Sequence, residues 1–181
     1  MSQHVSPSTL ICTDLALGYQ SGFDLSVDMK PIPMSADMRR TWNGRLLNLA
    51  DAAFRLYEVR IASGEGEIRA PALSRLWPGT EFQLVPPSEL GDTIAAGGTN
   101  RTLQRTPYID SIRVYDLAFN ALPFTVAGKV LTLTSPAATA VRIYYRPILN
   151  LMVTEPWSIN TRASRAEVSW ELVSEEVGGV A

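Results

Sequence analysis

The sequence contains very few of the side chains that enzymes most often use for catalysis and metal binding. Cys12 is its only cysteine and His4 is its only histidine. One cysteine excludes an internal disulfide, and one histidine with one cysteine offers no ligand spacing for zinc. His4 lies in a polar N-terminal segment and is expected to be solvated, so Cys12 has no evident base and is interpreted as a small buried hydrophobe.

Long apolar runs are missing as well. No run approaches the roughly 20 residues that a membrane-spanning helix needs. The opening residues MSQHVSPST show no basic region followed by an apolar one, which a signal peptide would require. We therefore expect a chain that is made and kept in a reducing cytoplasm, or in a particle assembled there.

Charge is also scarce. Charged residues make up 19% of the chain and the net charge is −2, whereas a typical domain has about 25% charged residues and a nucleic-acid-binding protein has a basic excess. Lys30 and Lys129 are the only lysines among sixteen cationic residues. Arginine is better suited than lysine to bidentate and stacked contacts at interfaces, so the bias favours a surface covered by partners. A GC-rich genome would produce the same bias.

Apolar and polar residues alternate with a period of two in several stretches, most clearly from residue 141 to 153 and from 168 to 172. This pattern predicts half-buried antiparallel strands. Pro147 interrupts the first stretch and predicts a bulge, a bend or an edge position. The in-phase side chains are the predicted core residues: Val141, Ile143, Tyr145, Val168, Trp170 and Leu172.

Turn residues separate these stretches and complete the fold prediction. Ala127-Gly128 lies between two short apolar runs and predicts a tight hairpin. Residues 70–77 predict one or two helical turns, and residues 88–94 predict another. Residues 41–57 also fit helical spacing, but we interpret them as a turn followed by a strand. Residues 91–107 predict a long polar loop. The predicted fold is mostly β: an antiparallel β-sandwich or barrel-like domain with short helical turns and an extended N-terminal arm. The predicted bounds are 1–28 for the arm or an edge strand, 29–177 for one β-rich domain, and 178–181 for a tail.

Carboxylates and tryptophans are the remaining candidates for chemistry. Glu65 with Glu67, or Glu175 with Glu176, could act as a catalytic pair only if they faced each other across a cleft; neighbouring acids in a Gly-rich turn or at a chain end are more often solvated. Exposed tryptophans could stack on sugars, and the candidates adjoin turn residues: Trp42, Trp77 and Trp157. The alternative for these indoles is that they plug sheet ends or anchor a protein partner.

Three segments of the chain carry a resemblance to a known family. Residues 31–63 contain a proline-containing lead-in, an Arg-Thr-Trp-Asn-Gly turn and a strand. Residues 70–86 contain a short apolar turn, a Trp-Pro-Gly sequence and a strand. Residues 141–177 contain a Tyr-Arg-Pro strand and a closing Ser-Trp-Glu-Leu strand. These features resemble minor tail and distal-tail (tail-tip) proteins of long-tailed bacteriophages. Residues 91–140 carry no such resemblance.

The resemblance implies a non-enzymatic structural subunit of a virion tail, assembled in the host cytoplasm and without a cofactor. Its expected partners are copies of itself in a ring and other tail proteins, including tube, tape-measure and hub or tip proteins, with no nucleic acid and no membrane span. The alternative is a carbohydrate- or receptor-binding β-sandwich module. For assembly, we expect interface residues in the polar loop, on the polar phase of the 141–146 strand and in the arm: Arg101, Arg105, Arg142, Arg146, Leu15 and Leu17.

Overall fold

A computed structural model of the chain describes residues 10–18, 24–64 and 68–178. The predicted fold class is confirmed: the chain is mostly β, with several antiparallel sheets in a β-sandwich-like arrangement. The described residues are helical only in single 3-10 turns, at Pro33–Ser35, Ala52–Phe54, Leu73–Arg75 and Ile109–Ser111.

The strands follow one another in chain order as β1 (Leu25–Pro31), β2 (Met38–Arg40), β3 (Leu46–Asn48), β4 (Tyr57–Ser63), β5 (Glu81–Leu84), β6 (Leu90–Ile94), β7 (Asn100–Thr102), β8 (Arg113–Tyr115), β9 (Phe124–Ala127), β10 (Val130–Leu133), β11 (Val141–Tyr145), β12 (Leu149–Val153), β13 (Ser158–Arg162) and β14 (Glu167–Glu176). They form two compact units. Unit A comprises residues 12–83 and 150 onward, and unit B comprises residues 84–149 with Leu10 and Ile11.

The main sheet of unit A is built around β14. Its strand order is β1-β4-β14-β12-β5, with β13 also paired to β14. Ile61 of β4 lies directly opposite Leu172 of β14, and both side chains are fully buried, as is Val59. Alternate residues of a strand point to the same face of a sheet. The period-two pattern of β4 and β14 therefore places their apolar residues together on a buried face.

Unit B contains two three-stranded sheets, ordered β6-β11-β8 and β7-β10-β9. Side chains from both sheets share one apolar cluster, which includes Val141 and Ile143 of β11 and Leu131 and Leu133 of β10. β9 and β10 pair as the predicted hairpin around Gly128, whose φ of 58° lies in the left-handed region that favours glycine.

The predicted long loop at 91–107 and the predicted helical turn at 88–94 are both wrong. Residues 90–94 form β6, which pairs with β11, and residues 100–102 form β7, which pairs with β10. The polar side chains that suggested a loop, such as Thr93 and Arg101, are exposed on these strands. Because pairing with a distant strand outweighs weak local propensity, a polar composition did not exclude strand structure here.

Other local predictions agree with the structure. The turn at Leu73–Arg75 lies within the segment predicted to contain helical turns. The alternating stretch from 141 to 153 is interrupted around Pro147: β11 ends at Tyr145, β12 begins at Leu149, and Pro147 forms an isolated bridge with Pro107.

The N-terminal arm was predicted to be an edge strand or a segment that reaches onto another subunit. Residues 1–9 and 19–23 lie outside the described part of the chain. Within the described part, Leu10, Cys12 and Leu15 are buried, and Ile11 bridges Val85. The predicted domain bounds stay a prediction.

Candidate functional site

Several exposed apolar side chains of unit A lie on a hairpin formed by β2 and β3. These two strands pair with each other, with Met38 opposite Asn48, Arg39 opposite Leu47 and Arg40 opposite Leu46. They form a two-stranded sheet that no other strand of the described chain joins. A two-stranded sheet in water is marginally stable by itself, so the local contacts that hold this one are informative.

Backbone and side-chain hydrogen bonds fix the hairpin at both ends. At the tip, the Thr41 amide donates to the Arg45 carbonyl oxygen and the Gly44 amide donates to the Thr41 carbonyl oxygen, each at 2.9 Å. Gly44 has a φ of 81°. The Arg40 guanidinium donates to the Gly44 carbonyl oxygen at 2.9 Å. At the base, the Asp37 amide donates to the Asn48 side-chain oxygen at 3.0 Å.

The two faces of the hairpin differ. Directly opposite residues in an antiparallel pair point to the same face, so Met38, Arg40 and Leu46 share one face, and Arg39 and Leu47 share the other. Leu47 is half-buried, whereas Met38 is 57% exposed and Leu46 is 52% exposed. The first of these faces, together with the tip residue Trp42, is called the hairpin face below.

Trp42 is 99% exposed, which is an unusual position for an indole. Large side chains are normally placed where their apolar area leaves water. Further exposed apolar residues flank the hairpin along the chain: Met34, Leu49 and Phe54. The hairpin and its flanks therefore expose a group of large apolar side chains, which in soluble proteins is typical of an interaction surface.

The hairpin is also cationic. Residues 38–48 include Arg39, Arg40 and Arg45 and no carboxylate. Arg39 pairs with Asp37 at 3.0 Å, while Arg40 and Arg45 have no carboxylate partner among the described residues. The hairpin face thus combines apolar area with positive charge that the described chain does not neutralise.

A second exposed aromatic surface of unit A involves Trp77 and Trp157. Their ring centroids lie 6.0 Å apart with an interplanar angle of 62°, an edge-to-face arrangement. Trp77 is 64% exposed and its indole Nε1 donates to the Ser74 carbonyl oxygen at 3.0 Å, which fixes the ring orientation. Trp157 is half-buried. These two indoles, with their neighbours Pro78, Glu155 and Pro156, are called the indole corner below.

Backbone hydrogen bonds hold the two loops of the indole corner together. The Gly79 amide donates to the Val153 carbonyl oxygen at 2.8 Å, and the Val153 amide donates to the Thr80 carbonyl oxygen at 3.0 Å. Gly79 has a φ of 89°, a conformation that side chains disfavour. The Trp-Pro-Gly sequence therefore makes the turn that places Trp77 beside Trp157.

The indole corner is acidic. Residues 77–81 and 154–157 contain the carboxylates Glu81 and Glu155 and no cation, and Arg75 in the preceding turn is the nearest cation along the chain. Both carboxylates are exposed. Glu155 acts electrostatically on Arg60, although the pKa of Arg60 is raised chiefly by its hydrogen bond to Glu171. Glu155 itself has no hydrogen bond or ion pair within the described residues.

Three of the arginines predicted to lie at an interface are at least partly exposed in unit B. Arg101 pairs with Asp92 at 2.9 Å. Arg105 is half-buried, and its backbone amide donates to the Tyr145 hydroxyl at 3.3 Å. Arg142 is half-buried, and its guanidinium lies 5.3 Å from the centroid of the Phe119 ring. These contacts do not bring the three arginines into one cluster. Their predicted interface role stays a prediction.

Arg146 and Leu15 do not fit the interface role predicted for them. Arg146 is 2% exposed and Leu15 is fully buried within the single chain, so neither side chain can contact a second subunit. The phase of Arg146 suggested an outward side chain, but the strand ends at Tyr145 and the alternation does not continue past it. Leu17 is half-buried and remains a candidate.

The predicted core residues lie as follows. Val141, Ile143 and Tyr145 are buried in unit B, and Trp170 and Leu172 are buried in unit A. Val168 is only half-buried, because it lies near the start of β14, where the partner strand β13 is exposed throughout.

The candidates for catalytic chemistry are not brought together. His4, Glu65 and Glu67 lie outside the described residues. Glu176 accepts a hydrogen bond from the Tyr57 backbone amide at 3.2 Å. Cys12 is buried, and this burial raises the pKa of its thiol. Residues 10–18, 24–64 and 68–178 contain no group of three or more metal-ligating side chains.

No helix in this part of the chain is long and apolar enough to cross a membrane.

Sequence reasoning identified the tryptophans but missed most of the hairpin face. Met38 and Leu46 were not singled out, although Asn43-Gly44 between two short runs is a strong signal for a hairpin. The signal was weakened because β2 and β3 are three residues each, too short for an alternating pattern to be recognised.

Comparison with known proteins adds no identification. No protein-family model matches the sequence, and a search of curated proteins finds no significant match.

Proposed function

We propose that this chain is a structural subunit of a bacteriophage tail or tail tip, which acts by binding neighbouring subunits rather than by catalysis. The observation that carries the proposal is the hairpin face. A hairpin with hydrogen bonds at its tip and base presents Met38, Leu46 and a fully exposed Trp42 to solvent. The free energy gained by covering such side chains is about 25 cal/mol per Å² of apolar surface, and it is gained only when a partner binds.

The geometry of the hairpin suits a docking element. Its hydrogen bonds at tip and base hold it in one conformation, so binding orders few additional groups and loses little conformational entropy. Tryptophan and arginine are the residues most enriched among interface hot spots. The hairpin presents both.

The tail assignment is supported by the sequence resemblance of residues 31–63, 70–86 and 141–177 to minor tail and distal-tail proteins. Subunits of a closed ring contact one another through two different patches, each used once by every subunit. This proposal therefore expects an oligomer of several copies, together with genes for other tail proteins next to this one in the genome.

Size-exclusion chromatography with light scattering tests the assembly role. At about 100 µM, even an interface with a Kd of about 10 µM is largely populated, so the unmodified chain should elute as an oligomer. The variant Trp42→Ala with Leu46→Ser should elute as a monomer, because it removes apolar area from the hairpin face. Circular dichroism should show that its fold is intact.

A matched control is Leu117→Ser, which alters a side chain that is 51% exposed elsewhere on the chain and should leave the oligomer unchanged. The proposal fails if the unmodified chain stays monomeric at this concentration and the hairpin variant behaves identically. Turnover of a glycan by the purified protein would also contradict it.

A further inference from the structure

We infer that the hairpin face of one copy docks on the indole corner of a second copy, with a hairpin arginine placed over the indoles and beside Glu155. This inference rests on the proposed function and specifies the contact that assembly uses. Both surfaces belong to unit A, and both are exposed in the single chain.

The chemistry of the indole corner selects a cation. The face of an indole ring carries negative electrostatic potential, and a guanidinium within about 6 Å of the ring centroid is attracted to it. Trp77 and Trp157 meet at 62°, so the two rings present aromatic surface in two directions. Glu155 adds a carboxylate that has no hydrogen-bonded partner in the described part of the chain and interacts with Arg60 only electrostatically.

The hairpin supplies the complementary group. Arg40 lies on the hairpin face with Met38 and Leu46. Arg45 follows the tip of the same hairpin, which contains no carboxylate. Arginine stacks on aromatic faces and pairs with carboxylates through the same planar guanidinium. The prolines Pro78 and Pro156 are both exposed and offer apolar area for Trp42. Apolar area and charge therefore match between the two surfaces.

The contact has a definite symmetry. The hairpin face and the indole corner are different surfaces, so a hairpin-to-corner contact is heterologous and leaves each bound copy with one unused hairpin or corner. Repetition of such a contact produces a ring when the rotation closes. This is the geometry that a ring subunit needs.

Cross-linking between two differently labelled chains tests the geometry. A chain with Asn43→Cys at the hairpin tip is mixed with a chain with Pro156→Cys in the indole corner, and a short bismaleimide is added; the buried Cys12 remains in both. The inference predicts a cross-linked heterodimer. The control pairs Asn43→Cys with Thr139→Cys, an exposed position on unit B, and should give little product.

Charge reversal tests the chemistry, with association measured by sedimentation velocity. Arg40→Glu with Arg45→Glu should weaken association by about tenfold or more, since charged contacts at interfaces have effects of this size. Adding Glu155→Arg to the same chain should restore part of the association. Trp77→Ala alone should weaken the association about as much as the double arginine substitution does. Arg162→Glu with Arg165→Glu changes the net charge equally at two other exposed positions and serves as the control.

The outcomes separate this inference from the function on which it rests. If the chain forms oligomers that require Trp42 but tolerate Trp77→Ala and Glu155→Arg, the indole corner is not the acceptor and the proposed function stands. If the unmodified chain forms no oligomer, both fall. If a chitooligosaccharide quenches Trp77 fluorescence equally with and without the hairpin arginines, the corner binds a glycan and the inference is overturned.

Discussion

The guanidinium of Arg146 donates a hydrogen bond to the carbonyl oxygen of Pro86, with 2.7 Å between Nε and oxygen. A second guanidinium nitrogen, Nη2, donates to the Val85 carbonyl oxygen at 3.0 Å. Arg146 is almost completely buried, and this desolvation lowers the pKa of its guanidinium. Backbone carbonyl dipoles therefore stabilise a cation that the fold has removed from water.

Arg146→Ala should destabilise the protein by about 2–4 kcal/mol, because it removes the guanidinium donor from the buried Pro86 carbonyl oxygen and opens a cavity. The Val85 carbonyl oxygen loses one donor and keeps the Ile11 amide at 3.1 Å. Urea denaturation should show a lower midpoint with an unchanged m-value. Arg113→Ala is the control, since Arg113 is exposed and lies 3.6 Å from Glu89; it should change stability by less than about 1 kcal/mol. Equal effects of the two substitutions would contradict a structural role for Arg146.

Arg146 also shows where sequence reasoning stops being sufficient. Period-two alternation correctly predicted that Val141, Ile143 and Tyr145 point inward. Extended past Tyr145, where the strand ends, the same alternation predicted that Arg146 points outward. Alternation reports which face a residue occupies only while a strand continues. The burial of Arg146 depends on the Val85 and Pro86 carbonyls, about sixty residues away, and no local pattern contains that information.

The same limit explains the hairpin face and the indole corner. The turn residues Asn43-Gly44 and Pro78-Gly79 indicated where the chain reverses. The proximity of Trp77 to Trp157 depends on backbone bonds between Gly79, Thr80 and Val153, which lie far apart in the sequence. Composition therefore indicated the kind of side chain that contacts a partner, and tertiary structure was needed to place those side chains on surfaces.

Trp170→Ala should destabilise the protein by about 3–5 kcal/mol, because Trp170 is buried in the core of unit A. Trp170→Phe should cost far less. Phe keeps much of the ring volume, and the indole N–H it removes has no hydrogen-bond partner among the described residues. Trp42→Ala, which alters a fully exposed indole, should change stability by less than about 0.5 kcal/mol. Thermal denaturation followed by circular dichroism compares the three.

Leu15→Ala should cost about 2–5 kcal/mol, since Leu15 is fully buried. Deletion of residues 1–24 removes Leu15 together with the buried Leu10 and Cys12, so we expect it to destabilise the fold. Leu49→Ala, at a side chain that is 62% exposed, is the matched control. A deletion variant with an unshifted melting temperature would show that the N-terminal segment contributes nothing to the core.

Cys12 should react slowly with a thiol reagent in the native protein. Burial raises the pKa of its thiol, so at about pH 8 the reactive thiolate is scarcer than in a free cysteine, and access is restricted as well. The labelling rate should rise with urea in parallel with unfolding. Labelling as fast in the native as in the denatured protein would contradict the burial.

The raised pKa of Cys12 also has a sign for stability. The folded state holds the thiol proton to higher pH than the unfolded state does. The contribution of the protonated Cys12 thiol to the free energy of unfolding is therefore fully present below the ordinary cysteine pKa of about 8.5. It is lost as the pH rises through the raised pKa. Cys12→Ala should flatten the fall in stability that begins near the ordinary cysteine pKa of about 8.5. An unchanged pH profile would assign that fall to other groups.

The pairing of β14 with β4 has a consequence for biosynthesis. Glu171 lies opposite Ala62, so a ribosome adds more than a hundred residues after β4 before β14, its second neighbour in the sheet besides β1, exists. Contacts of such long sequence separation form slowly. Meanwhile residues 84–149, which make both three-stranded sheets of unit B, leave the ribosome as one continuous segment. Unit B can therefore begin to fold during translation, while the apolar face of β4 is still uncovered. A chaperone that protects this strand should raise the yield of folded protein.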